Sequence, residues 1–240
     1  MKSEPSKPER SSWTGFQLLP NFSRVASPGP WIALVVSLLL SAGCATSGPD
    51  ARAPRPGDGL REYHRLVADL RQDVKVTRQS VEALAVATQK NSAAACARFD
   101  KALHRTEVVS IKARARADAM EKRGEAYFEE WTAEISGAAD EASRRAAKAR
   151  FAELHQHFEA ILRDAAQVRQ AFRPFLEGAR RLRTTLGPEP QFEAIVQAVP
   201  TCQRIVVDGQ QAGVAMDQLL KTLKAAEVAV MAGPAPLPKP

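Results

Sequence analysis

The apolar residues of this chain recur at alternating intervals of three and four over most of its length. The clearest run consists of Phe151, Leu154, Phe158, Ile161, Ala165, Val168, Phe172, Phe175, Ala179, Leu182 and Leu186. This spacing is the a/d heptad pattern of packed helices, whereas a half-buried strand alternates with a period of two. The pattern therefore predicts an all-α fold.

Four such stripes, separated by short turns, predict four long helices. The first covers about residues 60–90, the second begins after the capping pair Asn91 and Ser92, the third begins after Asp140, and the fourth follows a turn at residues 187–190. Short connections make successive helices antiparallel neighbours. We therefore expect residues 60–232 to form one elongated antiparallel bundle with coiled-coil heptads.

Two prolines lie within the predicted helices. Pro174 interrupts the third stripe without shifting its register, which indicates a kinked helix and not a helix end. Pro200 lies near the start of the fourth stripe and should bend or break that helix early.

The N-terminal region contains the sequence LLLSAGCATSG at residues 38–48. The apolar run at residues 31–40 is too short to cross a bilayer, but it has the length of the apolar core of a secretory signal peptide. Together with the small residues before Cys44, it resembles the lipobox of bacterial lipoproteins, although Ser41 stands where that motif usually has leucine. The resemblance implies that residues 1–43 are removed and that Cys44 is lipidated. The alternatives are ordinary secretion or a buried cysteine in a short core helix.

A lipidated Cys44 would anchor the protein to a membrane without spanning it. Ala45 follows the cysteine, and the absence of an aspartate there implies, by the same resemblance, the outer membrane facing the periplasm. Residues 44–59 are rich in Gly and Pro and are expected to form a flexible linker, and residues 233–240 are expected to form a disordered tail.

The net charge of +7 arises from 34 Lys and Arg residues against 27 Asp and Glu residues. Because the two signs are mixed along the chain, the default interpretation is a solvated helix surface, and a nucleic-acid partner is not expected for an exported protein. The residues that could instead contact an anionic surface are Lys112, Arg114, Arg116, Arg144, Arg145 and Lys148.

Cys96 and Cys202 both fall on core stripes, near the starts of the second and fourth helices. Counting along the helices places them roughly 9 Å apart along the bundle axis. A disulfide in an oxidising compartment and two separate buried thiols both remain open at this point. The chain has no CxxC motif, so the cysteines do not indicate a zinc or thioredoxin-like site.

Residues of the kinds that catalysis and metal binding use are scattered along the chain. His155 and His157 are two apart, so on a helix they do not face each other, and pairing with Glu159 and Glu153 one turn away is the expected role. The chain lacks the paired Glu-x-x-His motifs of di-iron bundles on its core stripes, a GxSxG elbow and a phosphate-binding glycine loop. No cofactor, metal or small-molecule substrate is therefore expected.

Several short patterns resemble an uncharacterised family of Gram-negative lipoproteins that is defined as a domain of unknown function. They are YFEEW at residues 127–131, the pair Arg144 and Arg145, the stripe through Phe158 and Ile161, and the Pro174 helix with Phe175, Leu182 and Leu186. The resemblance implies a lipoprotein signal followed by long coiled-coil helices, and it implies no catalytic residues. Tyr127 and Trp131, one turn apart, are expected to pack in the core, with a partner-binding groove as the alternative.

Together these observations predict a non-enzymatic, lipid-anchored envelope protein that acts as a scaffold or interaction module. Its expected partners are the membrane, through the anchor, and an envelope protein or a second copy of the chain. The first alternative is a basic helical module that binds an anionic membrane or cell-wall surface. The second is a metal-binding helical subunit of an enzyme.

Overall fold

A computed structural model of the chain describes residues 56–137 and 140–232. The chain divides into the units Met1–Gly48 and Pro49–Pro240, and all described helices lie in the second. The helices are α1 (Pro56–Ala85), α2 (Ser92–Gly137), α3 (Glu141–Leu186), α4 (Phe192–Gln197) and α5 (Val199–Ala232). No strand occurs within these residues, which confirms the predicted all-α class. Cys44, the predicted signal peptide and the predicted tail lie outside the described residues.

The four long helices pack side by side. α1 lies between α2 and α5, and α3 also contacts both α2 and α5, so each long helix has two neighbours. The Thr77 and Thr106 hydroxyls are 2.8 Å apart between α1 and α2, and the Arg71 guanidinium donates two hydrogen bonds to Asp217 between α1 and α5. A second pair, Glu62 with Arg116, shows that α1 and α2 run antiparallel, as their short connection requires. The five described helices therefore pack against one another as a helical bundle, with the short α4 between α3 and α5.

The heptad stripe of α1 forms one wall of the main core. Every stripe position from Leu60 to Leu84 is buried, and Val81 and Leu84 are fully enclosed. Phe99 of α2, Phe175 of α3 and other large side chains fill the space between the helices. Because burying one such side chain contributes about 1.5–3 kcal/mol, this core is the main source of stability.

The helix boundaries follow local hydrogen bonding. Asp140 caps α3 as predicted, because its carboxylate accepts the backbone N–H of Ser143 at 2.7 Å. Asn91 behaves differently: its side-chain oxygen accepts the backbone N–H of Thr88, so it closes the α1–α2 turn. α1 begins at Pro56, inside the predicted linker, and ends at Ala85, before the expected limit of about residue 90.

The two prolines act at different positions. Pro174 lies inside α3, which continues through it from Glu141 to Leu186. The predicted fourth helix is divided into α4 and α5, and the interruption falls at Ala198, two residues before Pro200. Proline is well accommodated in the first turn of a helix, where its missing N–H has no intrahelical partner. The chain therefore restarts its helix around Pro200.

Candidate interaction surface

α2 and α3 are each 46 residues long, whereas α1 has 30. Counting antiparallel from the contact between Thr77 and Thr106 places Pro56, the first residue of α1, level with about residue 127 of α2. About ten residues of α2 remain before Gly137, which corresponds to roughly 15 Å at 1.5 Å per residue. The ends of α2 and α3 therefore project beyond α1. We call residues 124–137 and 140–158 the hairpin.

The hairpin has its own apolar core, separate from the main core. Phe128, Trp131 and Ile135 are buried there, with exposed fractions between 5 and 9%. Half-buried side chains pack around them, namely Tyr127, Ala147, Phe151, Leu154 and Phe158. All of these residues belong to α2 or α3. Among the described residues, only these two helices supply the apolar core of the hairpin.

Aromatic rings fill the hairpin core at close range. The Trp131 ring lies 5.6 Å from Tyr127 and 5.5 Å from Phe151, measured between ring centroids. Phe128 meets Phe151 edge to face at 5.3 Å. The His155 ring stacks on Phe151 at 5.5 Å, with 12° between the ring planes. Such pairs add about 0.5–1.5 kcal/mol each beyond the area they bury.

Gly124 marks the junction between the two cores. A Cβ atom built at this glycine would lie 2.2 Å from Cε2 of Phe158. Because that distance is far below van der Waals contact, the Phe158 ring occupies the space that any other residue would need. The close approach of α2 and α3 at this level depends on the missing side chain.

Arg150 connects the hairpin to the end of α5. Its guanidinium donates a hydrogen bond to the backbone carbonyl of Ala229 and another to Glu153. The pKa of the Tyr127 phenol is raised by burial and by the charge of Glu134, while the charge of Arg150 lowers it. Tyr127 therefore lies within electrostatic range of both side chains. No sequence pattern indicates this role of Arg150, because its partner is a main-chain carbonyl 79 residues away.

In the part of the bundle that includes α1 and α5, charged side chains connect neighbouring helices. Glu107 of α2 accepts hydrogen bonds from Arg180 and Arg183 of α3, at 2.7 and 3.1 Å. Burial raises the pKa of Glu107, but the two arginines outweigh it and hold this pKa below its ordinary value. These charged side chains therefore join α2 to α3.

Polar side chains also lie inside the bundle. Asp73 is 2% exposed, and its Oδ1 forms an ion pair with Arg105 Nε at 2.7 Å, whereas Oδ2 has no hydrogen-bond partner in the described part of the chain. Asp164 accepts the hydroxyl of Thr222 at 2.6 Å. Because these residues flank the a/d stripes, the apolar periodicity did not indicate their burial.

Cys96 and Cys202 are both buried in the main core, and both are free thiols. Burial raises the pKa of Cys202 to about 11, and the charge of Cys96 acts in the same direction. The two thiols therefore lie within electrostatic range of each other. A disulfide between them stays a prediction.

The six basic residues that are predicted to contact an anionic surface fall into two groups. Lys112, Arg114 and Arg116 lie on α2 beside the main core, and Arg116 pairs with Glu62 at 2.7 Å. The other three, Arg144, Arg145 and Lys148, lie on the hairpin at the start of α3. About 23 residues of α2 separate residue 114 from the hairpin turn, which corresponds to roughly 35 Å along the helix. The structure does not bring the six together at one site.

The histidine pairs are only partly as expected. His155 lies 3.8 Å from Glu159, but Glu153 pairs with Arg150 and not with His157. Within residues 56–137 and 140–232, no group of three or more His, Cys, Asp or Glu side chains is placed to hold a metal ion. None of the described helices has both the length and the apolar character that crossing a bilayer requires.

Comparison with protein-family models, with curated proteins and with solved structures gives no match for this chain. The resemblance to an uncharacterised lipoprotein family therefore stays a prediction. The candidate functional surface is defined by geometry alone: it is the hairpin, where α2 and α3 project beyond the first turn of α1.

Proposed function

We propose that this protein is a non-enzymatic, lipid-anchored protein of the bacterial cell envelope, with Cys44 as the lipidated residue. In this proposal the helical bundle is a scaffold that presents the hairpin to an envelope partner. The twelve peptide units between Cys44 and Pro56 span at most about 40 Å, so the anchor would hold the bundle close to the membrane. By resemblance to other lipoproteins, that membrane is the outer membrane, and the bundle faces the periplasm.

The scaffold role is supported by polar side chains that join different helices of the bundle. The ion pairs of Glu107 with Arg180 and of Arg71 with Asp217 each join two different helices. His64 and Glu227 also connect α1 to α5, at 2.8 Å. Side chains of the kinds that catalysis uses are thus engaged in holding the bundle together. This pattern favours a structural element over an enzyme.

A basic module that binds an anionic membrane or cell-wall surface is the alternative. Arg145 and Lys148 are exposed on the hairpin and favour it. Arg116 and Arg144 weaken it, because each pairs with a glutamate of this chain.

Intact mass spectrometry of membrane-extracted protein tests the anchor. We expect the wild-type chain to begin at Cys44 and to carry the added mass of three acyl chains. The Cys44→Ala variant should retain residues 1–43 and carry no lipid. Cys96→Ala is the matched control, because it removes a thiol within the main core and should leave the lipid mass unchanged. An unmodified wild-type chain in the membrane fraction would show that the anchor is wrong.

A further inference from the structure

We propose that two copies of this chain associate through an exposed stripe of α5, with the two α5 helices packed side by side and antiparallel. The stripe begins at Val207, continues at alternating intervals of four and three residues through Gln211 and Val214, and ends at Ala232. We call it the outer stripe. The proposal goes beyond the scaffold role, and it depends neither on the lipid anchor nor on the hairpin.

α5 has two heptad stripes on opposite sides. The inner stripe runs from Cys202 to Ala226 and is buried at every position. The outer stripe is exposed at every position, and Val207, Val214 and Val228 have exposed fractions of 49, 71 and 51%. Because the inner stripe already packs α5 into the main core, the outer stripe is a second apolar surface with the spacing that fits another helix.

The outer stripe carries little charge. Lys221 is the single charged residue among its eight positions. A solvated helix face ordinarily carries charged side chains, whereas the centre of a protein interface is depleted of them. The exposed side of α2 around Ile111 differs in this respect, because Lys101 and Asp118 are exposed there. The outer stripe is therefore the surface of the described helices that best fits an interface.

The outer stripe is complementary to itself. Two antiparallel copies of α5 can be aligned so that Val214 of each copy lies opposite Ala225 of the other. The contact is then symmetric, as in most homodimers, and every pair occurs twice. The same alignment pairs Val207 with Ala232, Gln211 with Val228, and Gln218 with Lys221. No two charged side chains of the stripe meet in this alignment.

Charges beside the stripe select this alignment. Asp217 of each copy lies next to Lys224 of the other, and their side chains are 49 and 66% exposed. Asp217 already pairs with Arg71 of its own chain, but its exposed fraction leaves room for a second cation. A shift by one heptad would place Asp217 opposite Asp217, or Lys224 opposite Lys224, and a parallel arrangement would place Lys221 opposite Lys221. Like charges therefore disfavour the neighbouring alignments.

The size of the stripe predicts a weak dimer. From Val207 to Ala232 it is about 38 Å long, and a helix about 10 Å wide offers roughly 400 Å² over that length. A standard interface buries about 800 Å² on each partner, and smaller interfaces belong to transient complexes. We therefore expect a reversible dimer with a dissociation constant on the order of 100 μM.

Cysteine crosslinking of the full chain tests the alignment. One chain carries Val214→Cys, the other carries Ala225→Cys, and the thiol oxidant is diamide. The mixture should form a disulfide between positions 214 and 225, identified by peptide mass mapping. Each variant alone is the matched control, because equivalent positions of the two copies would lie about 16 Å apart along the helices, too far for a disulfide. Absence of this disulfide from the mixture, or equal crosslinking of each variant alone, overturns the proposal.

Sedimentation velocity of the full chain tests the interface without crosslinking. Val214→Glu places a carboxylate opposite an apolar partner and should raise the dissociation constant about 10-fold or more, with helix content unchanged by circular dichroism. Lys224→Glu should raise it about threefold. Ile111→Glu is the matched control, because Ile111 is 60% exposed on α2 and should have no effect. A wild-type chain that stays monomeric up to the millimolar range overturns the proposal. Association that Val214→Glu leaves unchanged would show a different contact and would also overturn it.

Discussion

The contact between Gly124 and Phe158 makes a quantitative prediction for the substitution Gly124→Ala. A new Cβ would lie 2.2 Å from the ring, whereas ordinary contact begins at 3.4 Å. The ring must therefore move by more than 1 Å, and since Phe158 is only half-buried, it can rotate into solvent. Losing about 80 Å² of apolar contact costs about 2 kcal/mol at 25 cal/mol per Å².

Helix propensity acts in the opposite direction. Alanine is favoured over glycine inside a helix by about 1 kcal/mol. The expected net effect of Gly124→Ala is therefore a loss of about 1 kcal/mol in the free energy of unfolding. In a Phe158→Ala background the clash is absent, so the same substitution should stabilise the protein by about 1 kcal/mol.

Urea unfolding of the four proteins in this double-mutant cycle measures the coupling. Gly137→Ala is the control, because no atom lies within 4 Å of the Cβ position there, and it should leave stability unchanged or raise it slightly. If Gly124→Ala stabilises the wild type as much as it stabilises the Phe158→Ala variant, then the close packing of α2 on α3 at this level is wrong.

Two further predictions follow from the titratable groups. Because Arg180 and Arg183 hold the folded-state pKa of Glu107 below its ordinary value of 4.5, the stabilisation from this pair is complete above that pH and is lost as the pH falls below it. Glu107→Gln should therefore lower stability by about 0.5–1 kcal/mol at pH 7, with a smaller difference at pH 3, measured by urea unfolding. The pKa of Cys202, raised by burial to about 11 from 9, should slow its alkylation at pH 8 about 100-fold until the chain unfolds, measured by peptide mass mapping. If unfolded chains take up label at Cys96 and Cys202 only after reduction, the two thiols are instead joined in a disulfide.

The periodicity of the sequence was enough to predict the helical class and much of the core. The stripe from Leu60 to Leu84 is buried at each of its heptad positions, because a/d spacing directly records which side of a helix faces its neighbours. The cap at Asp140 was also predictable, since it depends on residues three apart. Both features depend on residues that are only a few positions apart, so the sequence alone is enough to predict them.

The hairpin core and its link to α5 were not predictable in the same way. The stripe of α2 continues through Trp131 without a break, so periodicity alone does not show where α1 stops covering it. That point depends on where α1 begins, and Pro56 lies within a segment whose Gly and Pro content indicated a linker. The bond from Arg150 to Ala229 depends on the three-dimensional path of the chain and leaves no pattern in the sequence.

The division into two apolar cores has a consequence for how the protein opens. Local unfolding costs less free energy where fewer buried contacts must be broken. Among the described residues of the hairpin, only Phe128, Trp131 and Ile135 are buried, and they lie between two helices. Amide hydrogens in the hairpin should therefore exchange with solvent through local openings that leave the rest of the bundle folded. We therefore expect the end of the bundle where α1 begins to open before the rest.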